Sequence, residues 1–403
     1  MIVVIADDIS SASEVAGVAA QRGFRAEVHT SFDPSRAVDV IALDTDSRAL
    51  GVEAATRRVA ELTRLVVEAR PDWIYKKVDS VLRGHVRAEV GAILAATRKA
   101  RALLIPANPA RGRTIRNGEY LVEGVPLSET TFSRDPYFPA RSANVLELLG
   151  RQEGGVPATS LRDGEPLPRE GIHLPDVEKR EDLVSLARAV DETTLPVGGA
   201  DFLDVLLQAR GGGSTLSPSS EKSREYAAGP SLMVCGSAAA WDTGRAEECR
   251  QRGIPVLSLP EGLFEESEND ALLASWAKEA IRALSRQGSV MLAIGRSGRV
   301  PAGVLPEVLV GRLIEAVTHV LAAGRVGWLY LEGGATASLL LNRMQWTRLA
   351  ATRLVGPGMP AFAISESPEG PLLFVKPGSY PWPDPVWPRA SGGGPGSCTD
   401  LGD

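Results

Sequence analysis

Short apolar runs alternate with segments of helical periodicity from the first residues of this chain, and few architectures accommodate that rhythm. "MIVVIA", "RAEVHT", "VDVIALD", "DWIYKKV" and "ALLIPA" are strand-length runs. Between them lie a helical pattern from Ala12 to Arg22, "GVEAATRRVAELTRLVVEA" with Val59, Leu62 and Val66 at helical spacing, and "VRAEVGAILAATRKA". Strands that are apolar throughout need cover on both faces, so the pattern predicts a mostly parallel sheet between two helix layers. Around "TIRNGEYLVEGVPL" the rhythm changes to short alternating pieces with Asn-Gly and Glu-Gly turns, which predicts a hairpin.

The rhythm breaks once more. "QARGGGSTLSPSSEKSREYAAGP" is rich in Gly, Ser and Pro without periodicity and reads as a linker. We therefore expect a first domain over 1–208, a linker over 209–229, a second domain over 230–388 and a disordered tail over 389–403. In the second domain "SLMVC", "IPVLSL", "SVMLAIG" and "VGWLYLEGG" read as strands. "DALLASWAKEAIRALSRQ" and "LPEVLVGRLIEAVTHVLAAG" read as helices. With 403 residues and 44% hydrophobic content, the chain has material for such cores.

Composition narrows the class. A net charge of -6 without a run of like charges argues against nucleic acid or an anionic membrane as the main partner. Cys235, Cys249 and Cys398 are scattered and lack zinc spacing, so reduced thiols in a cytoplasmic protein are expected. "MIVVIADD" lacks the basic start of a signal peptide, and no stretch approaches the ~20 apolar residues of a membrane span.

In open parallel sheets, ligands bind beyond the carboxyl ends of the strands. Polar residues stand at those ends here: Asp7 and Asp8; Thr45, Asp46, Ser47 and Arg48; Lys77, then Asp79, Ser80 and Arg83 after the apolar Val78; Asn108, Arg111 and Arg113. Singly, each has an ordinary explanation. Asp8, with Ser10 and Ser11, could cap a helix, Arg48 could be solvated, and His85 fits a surface position at a helix start. Together they form a mixed-charge cluster at one sheet edge, which ordinary explanations cover poorly. Arginine suits a bidentate grip on a carboxylate, lysine a point charge, and aspartate a sugar hydroxyl or the proton of an attacking one.

The second half carries different chemistry. Strands end in Gly236-Ser237, in Gly333, Gly334 and Thr336, and in "VKPGSY" with Lys376, Gly378 and Ser379. Glycines that gather backbone N–H groups at a helix start suit phosphates, although many such turns merely tighten a strand–helix junction. The sequence has no P-loop signature, and no GxGxxG follows a strand, so a P-loop enzyme is excluded and a dinucleotide-dependent dehydrogenase is a distant alternative.

The segments "ADDISSA", Asp46-Ser47-Arg48, "KVDSVLRG" and "FSRDP" (132–136) together resemble the signatures of the four-carbon acid sugar kinases. Members of that family phosphorylate threonate, erythronate or 3-oxo-tetronate with ATP. The resemblance spans about residues 1–388. It implies two three-layer α/β domains with mostly parallel sheets and an active site in the interdomain cleft. It also implies ATP and Mg²⁺ as cofactors and a small sugar acid as substrate, and leaves a homodimer open. Substrate contacts would fall on Asp7 or Asp8, Arg48, and the Lys77-Val78-Asp79-Ser80 turn, with Arg48 and Lys77 on the carboxylate. Asp8 or Asp79 would orient the attacking hydroxyl or act as base. ATP contacts would fall on Ser237, Gly333-Gly334 and the loop at Gly378.

The chain departs from the family pattern at definite positions. Ser10-Ser11 stands for the usual Thr-Gly after the first acids, Ala335 for an acid in the glycine turn, and "KPGSYPWPD" for a glycine-rich last loop. The departures fall mainly on the nucleotide side. An active kinase is the favoured reading, and a sugar-acid-binding protein with a degenerate ATP site is the alternative.

Overall fold

The computed structural model describes residues 1–135, 138–150, 155–211, 229–237, 244–264, 269–295, 304–323, 326–356, 359–378 and 381–388. The chain divides into two compact units, Met1–Leu216 and Ser217–Asp403. Most of the expected linker (212–228) and the whole expected tail (389–403) lie outside the described residues.

In the first unit the strands of the main sheet are β1 (Ile2–Ala6), β2 (Ala26–His29), β3 (Val40–Asp44), β4 (Trp73–Lys77), β5 (Arg101–Ile105), β9 (Ala158–Leu161), β10 (Gly171–Pro175) and β11 (Thr194–Gly198). They lie in the order β2-β3-β1-β4-β11-β5-β10-β9, and every pair is parallel. All residues of β1, β3, β4, β10 and β11 are buried. Such strands need cover on both faces. Helices α2 (Val52–Glu68) and α3 (Val86–Thr97) pack together, as do α1 (Ile9–Gln21) and α5 (Arg180–Ala187) with α6 (Ala200–Ala209). A short helix, α4 (Val145–Leu149), lies between α3 and α5 in the chain.

The expected hairpin is a small antiparallel sheet of β6 (Arg113–Arg116), β7 (Glu119–Val122) and β8 (Val125–Pro126). Its turns put Asn117 and Gly118 at φ of 53° and 71°, and Glu123 and Gly124 at 52° and 81°. Two successive left-handed residues are what a tight hairpin of the right twist requires, and Asn-Gly supplies them at least cost.

The second unit repeats the theme with β12 (Ser231–Cys235), β13 (Val256–Ser258), β14 (Ser289–Ala293), β15 (Trp328–Glu332) and β18 (Leu372–Lys376), all parallel in the order β13-β14-β12-β15-β18. Helices α7 (Arg245–Gln251), α8 (Asp270–Gln287), α9 (Pro306–Ala323) and α10 (Gly334–Met344) accompany them. An antiparallel ribbon that the periodicity does not announce, β16 (Arg348–Gly356) and β17 (Met359–Ile364), continues the sheet beyond β18. Beneath it a core of Met233, Met291, Trp328, Tyr330 and Phe374 receives Trp382, Val386 and Trp387 from the segment after β18.

Candidate active site

In the first unit the adjacent strands β3, β1 and β4 end side by side, and their polar residues interlock. Arg48 is the hub. Its Nε and Nη2 donate to the two Asp7 oxygens at 2.7 and 2.8 Å, Nη1 donates to Asp8 Oδ2 at 2.7 Å, and Nη2 also reaches Ser11 Oγ at 3.0 Å. Burial would lower the arginine's pKa, but the charges of Asp7, Asp8 and Asp79 raise it well above its ordinary value. Asp7 is affected in the opposite sense: burial would raise its carboxyl, and the Arg48 charge and hydrogen bonds hold it below the usual range. Most of the arginine fork is thus filled by the protein's own carboxylates. Asp8 meanwhile caps α1 through Ser11 N at 2.8 Å and takes the Ser10 hydroxyl at 2.7 Å. The capping explanation and the cluster are both right for this residue.

The turn after β4 closes on Asp79. Its Oδ2 accepts from the backbone N–H of Val81 and Arg83, and both oxygens accept from the Arg83 guanidinium at 2.9 and 2.7 Å. Burial would raise this carboxyl, but Arg83, with Arg48 and Lys77 behind it, holds it far below the usual range. Arg83 extends to Asp135 at 3.2 Å. Gly84 comes next at φ +93°, where a Cβ would sit 3.3 Å from Asp7 Oδ2 and 3.6 Å from Arg48 Cγ. This close approach brings the "LRG" turn against the Asp7–Arg48 pair.

The two lysines of β4 are both buried, and they leave the strand on opposite faces because side chains alternate. Lys76 Nζ lies 2.6 Å from Glu89 of α3, whose other oxygen takes the Ser47 hydroxyl at 2.6 Å. Lys77 Nζ lies 3.1 Å from Glu14 of α1 and donates to Val78 O at 2.9 Å, which leaves donor capacity on the ammonium. Burial would lower the Lys77 pKa, but Glu14, Asp7 and Asp79 raise it, so the charge stays. Val78 spends its N–H on Gly198 O at 3.0 Å. Ser80 is tied to the small sheet: its hydroxyl accepts from Arg113 and its carbonyl from the Tyr120 hydroxyl.

Residue-by-residue reading missed Glu14 and Glu89. Glu14 was legible, since it lies four residues beyond Ser10 and three beyond Ser11, at the spacings that bring side chains of one helix together. Glu89 sits in the first turn of α3, where an acid is ordinarily explained by the helix dipole.

In the second unit β12, β15 and β18 are neighbours, and their glycine turns meet. A Cβ at Gly378 would overlap the Ser237 hydroxyl and lie 2.5 Å from Ser237 Cβ. A Cβ at Gly236 would overlap Thr336 Oγ1. Gly333, at φ 104° and ψ 131°, occupies a region closed to other residues, and Gly334 opens α10. Ser237, Gly333, Gly334, Thr336 and Gly378 are therefore brought together, with the helix start among them. Ser379 lies outside the described residues. Lys376 does not present its ammonium to this turn as a free charge: it is buried, and Nζ donates to Glu332 and to Pro377 O at 3.1 Å. Arg245 joins the same Glu332 oxygen at 3.2 Å. Neither Arg245 nor Glu332 stands out in the sequence, where one opens a helix and the other ends a strand.

With this geometry in place, the comparisons with known proteins are decisive. Residues 2–206 match the family model described as a sugar-binding N-terminal domain. A D-threonate kinase of Cupriavidus necator is 30% identical, over 91% of this chain and 91% of its own length.

The chain belongs to the four-carbon acid sugar kinase family.

A second relative, the D-threonate kinase of Salmonella typhimurium, is 27% identical over 92% of this chain and 93% of its own. Among solved structures, a Haemophilus influenzae protein of the family DUF1537 superposes with a TM-score of 0.65 at 19% identity, covering 94% of this chain and 97% of that one. At that identity the likeness speaks for the α/β fold alone. In this family member the "KVDSVLRG" turn brings Gly84 against Asp7 and Arg48. No helix among the described residues is long and apolar enough to cross a membrane.

Proposed function

We propose that this protein is an ATP- and Mg²⁺-dependent kinase that phosphorylates a hydroxyl of a four-carbon sugar acid such as threonate, erythronate or 3-oxo-tetronate. The observation that carries the reading is the closed turn after β4. It packs Lys77, Asp79 and Arg83 against Asp7, Asp8 and Arg48 in a chain 30% identical to a D-threonate kinase across nearly its whole length. Phosphoryl transfer needs positioning and charge neutralisation more than covalent chemistry from the protein. That is what fixed charges held by one another can supply.

The geometry refines the roles. Lys77 keeps its charge and spare donor capacity, so we assign it to the substrate carboxylate. Arg48 is assigned to holding Asp7 and Asp8 in place, with its remaining donor capacity turned to the substrate. Asp79 is saturated by Arg83 and by backbone N–H groups and is a poor proton acceptor. Asp8 is the better candidate to orient the attacking hydroxyl: its side chain is 13% exposed, against 8% for Asp79 and 4% for Asp7.

The glycine turns of the second unit suit the triphosphate of ATP, because backbone N–H groups at a helix start bind phosphate where side chains would intrude. Mg²⁺ would come with the nucleotide, held chiefly by phosphates and water. Use of MgATP fits a cytoplasmic location. The test is coupled ADP release with MgATP and each of D-threonate, D-erythronate and 3-oxo-tetronate. Turnover of at least one is expected. Calorimetric binding of a tetronate with no binding of MgATP at millimolar concentration would sink the kinase and leave a sugar-acid-binding protein.

A further inference from the structure

The nucleotide side departs from the family pattern most visibly after Gly378, and residues 381–388 there have a definite task. This segment runs over a buried ion cluster at the ends of β15 and β18. Glu332 Oε1 accepts from both Lys376 Nζ and Arg245 Nε, while its buried Oε2 has no hydrogen-bond partner among the described residues. The Trp382 ring lies 4.8 Å from Lys376 Nζ. The Trp387 ring lies 5.6 Å from the Arg245 guanidinium carbon and 4.5 Å from that of Arg252. The segment is fastened at several points. Val386 O accepts from the Tyr330 hydroxyl at 2.8 Å, Asp384 from Arg252 at 2.6 Å, and Trp382 O from Trp387 Nε1 at 3.2 Å.

The cluster adjoins the Gly333 and Gly378 turns. Glu332 immediately precedes Gly333, and Gly333 N donates to Lys376 O at 2.9 Å. Lys376 Nζ holds the carbonyl of Pro377, which precedes Gly378. Arg245 is the first residue of α7. In a dry site these charges fix one another's positions strongly, and in water they would do so weakly. Buried ion sets give little net stability, so a positional role explains this one better than a stabilising role. A tryptophan face over each cation keeps it desolvated without competing for its hydrogen bonds.

We propose that Glu332 is a positioning residue for the phosphate cradle, and that the tryptophan strap of residues 381–388 keeps its ion cluster dry so that the Gly333 and Gly378 turns stay in register for a nucleoside triphosphate. The proposal rests on reading those turns as the ATP site.

The experiment titrates MgATP into the full chain by calorimetry, at low and high salt. It also titrates whichever of D-threonate, D-erythronate and 3-oxo-tetronate the wild type binds. Glu332→Gln and Trp382→Ala are expected to weaken MgATP binding by about tenfold or more while tetronate affinity stays within about twofold. In Trp382→Ala the MgATP affinity should also become more salt-sensitive, because hydrated ions are screened. Trp382→Phe should restore near-wild-type behaviour. Gly378→Ala tests the underlying reading: unchanged MgATP affinity in that variant would remove the ATP site and the proposal together. If Gly378→Ala loses MgATP but Glu332→Gln and Trp382→Ala bind it as the wild type does, the positioning role is overturned and the ATP site stands. Equal loss of tetronate and MgATP in Glu332→Gln would also overturn it, in favour of a purely structural role. Should Trp382→Ala fail to fold, Glu332→Gln and Trp382→Phe decide the matter.

Discussion

Arg48 grips both oxygens of Asp7, at 2.7 and 2.8 Å, in a fork that only a planar guanidinium can make. The proposed substrate site is thus organised by a charge pair internal to the protein.

Arg48→Lys should therefore loosen two acids at once. A lysine can face Asp7 or Asp8 but cannot bridge them while also reaching Ser11. We expect sugar-acid affinity to fall by about 10- to 100-fold, the worth of a charged hydrogen bond or two. The affinity for MgATP should be nearly unchanged. Calorimetric titration of both ligands checks this, and a parallel loss of MgATP would contradict it.

Gly333→Ala should act on the other ligand. At φ 104° and ψ 131° the alanine must either strain or drag the turn to another conformation. MgATP affinity is expected to drop at least tenfold, in keeping with about 1–3 kcal/mol of backbone strain. Tetronate affinity should be retained. The reverse pattern, tetronate lost and MgATP kept, would contradict the assignment of this turn.

Glu89→Ala strands the buried Lys76 without its counter-charge and should cost about 3–5 kcal/mol. Replacing both residues, as Lys76→Met with Glu89→Ala, should recover part of that loss, with Lys76→Met as the second single variant. Urea unfolding of the single and double variants provides the cycle. Additive losses would mean that the Lys76–Glu89 pair, 2.6 Å apart, is not coupled.

Asp44 gives the clearest pH signature. Burial pushes its carboxyl well above the usual range, and Asp46, Asp8 and Asp7 push it further, although the backbone N–H of Asp46 opposes them. An unfolded aspartate ionises near pH ~3.9, whereas this one holds its proton to higher pH when folded. Above that pH the folded state binds the extra proton, so its contribution to stability is present at low pH and declines as pH rises. Asp44→Asn imitates the protonated form and keeps the acceptor for Asp46 N. It should raise the melting temperature at pH 8 more than at pH 5. An equal shift at both values would show that Asp44 is not the titrating group.

The strand rhythm of the first 105 residues was legible because buried parallel strands leave an unmistakable apolar signature, and β1, β3, β4 and β5 fall where those runs stand. The ribbon Arg348–Ile364 was not, because its alanines and its interrupted register blur the two-residue period. At the candidate site, sequence brought Asp7, Asp8, Arg48, Lys77 and Asp79 to one sheet edge, where the structure also has them, but could not say which charges would neutralise each other. Arg48 read as a hand open to substrate, and the structure fills most of that hand with Asp7 and Asp8. Lys376 likewise read as a phosphate ligand and is spent on Glu332. Pairing across distant segments, such as Lys376 with Arg245 around Glu332, leaves no local pattern to detect.

Lys76 and Lys77 carry one more consequence. Because one meets Glu89 above the sheet and the other Glu14 below it, β4 is pinned to both helix layers by consecutive residues. A shift of this strand by a single position would seat one lysine in the place of the other, keep one charge pair and lose the second, while every other side chain of the strand turned to the opposite layer. The doubled lysine thus ties both helix layers to one strand immediately before the turn whose Gly84 approaches Asp7.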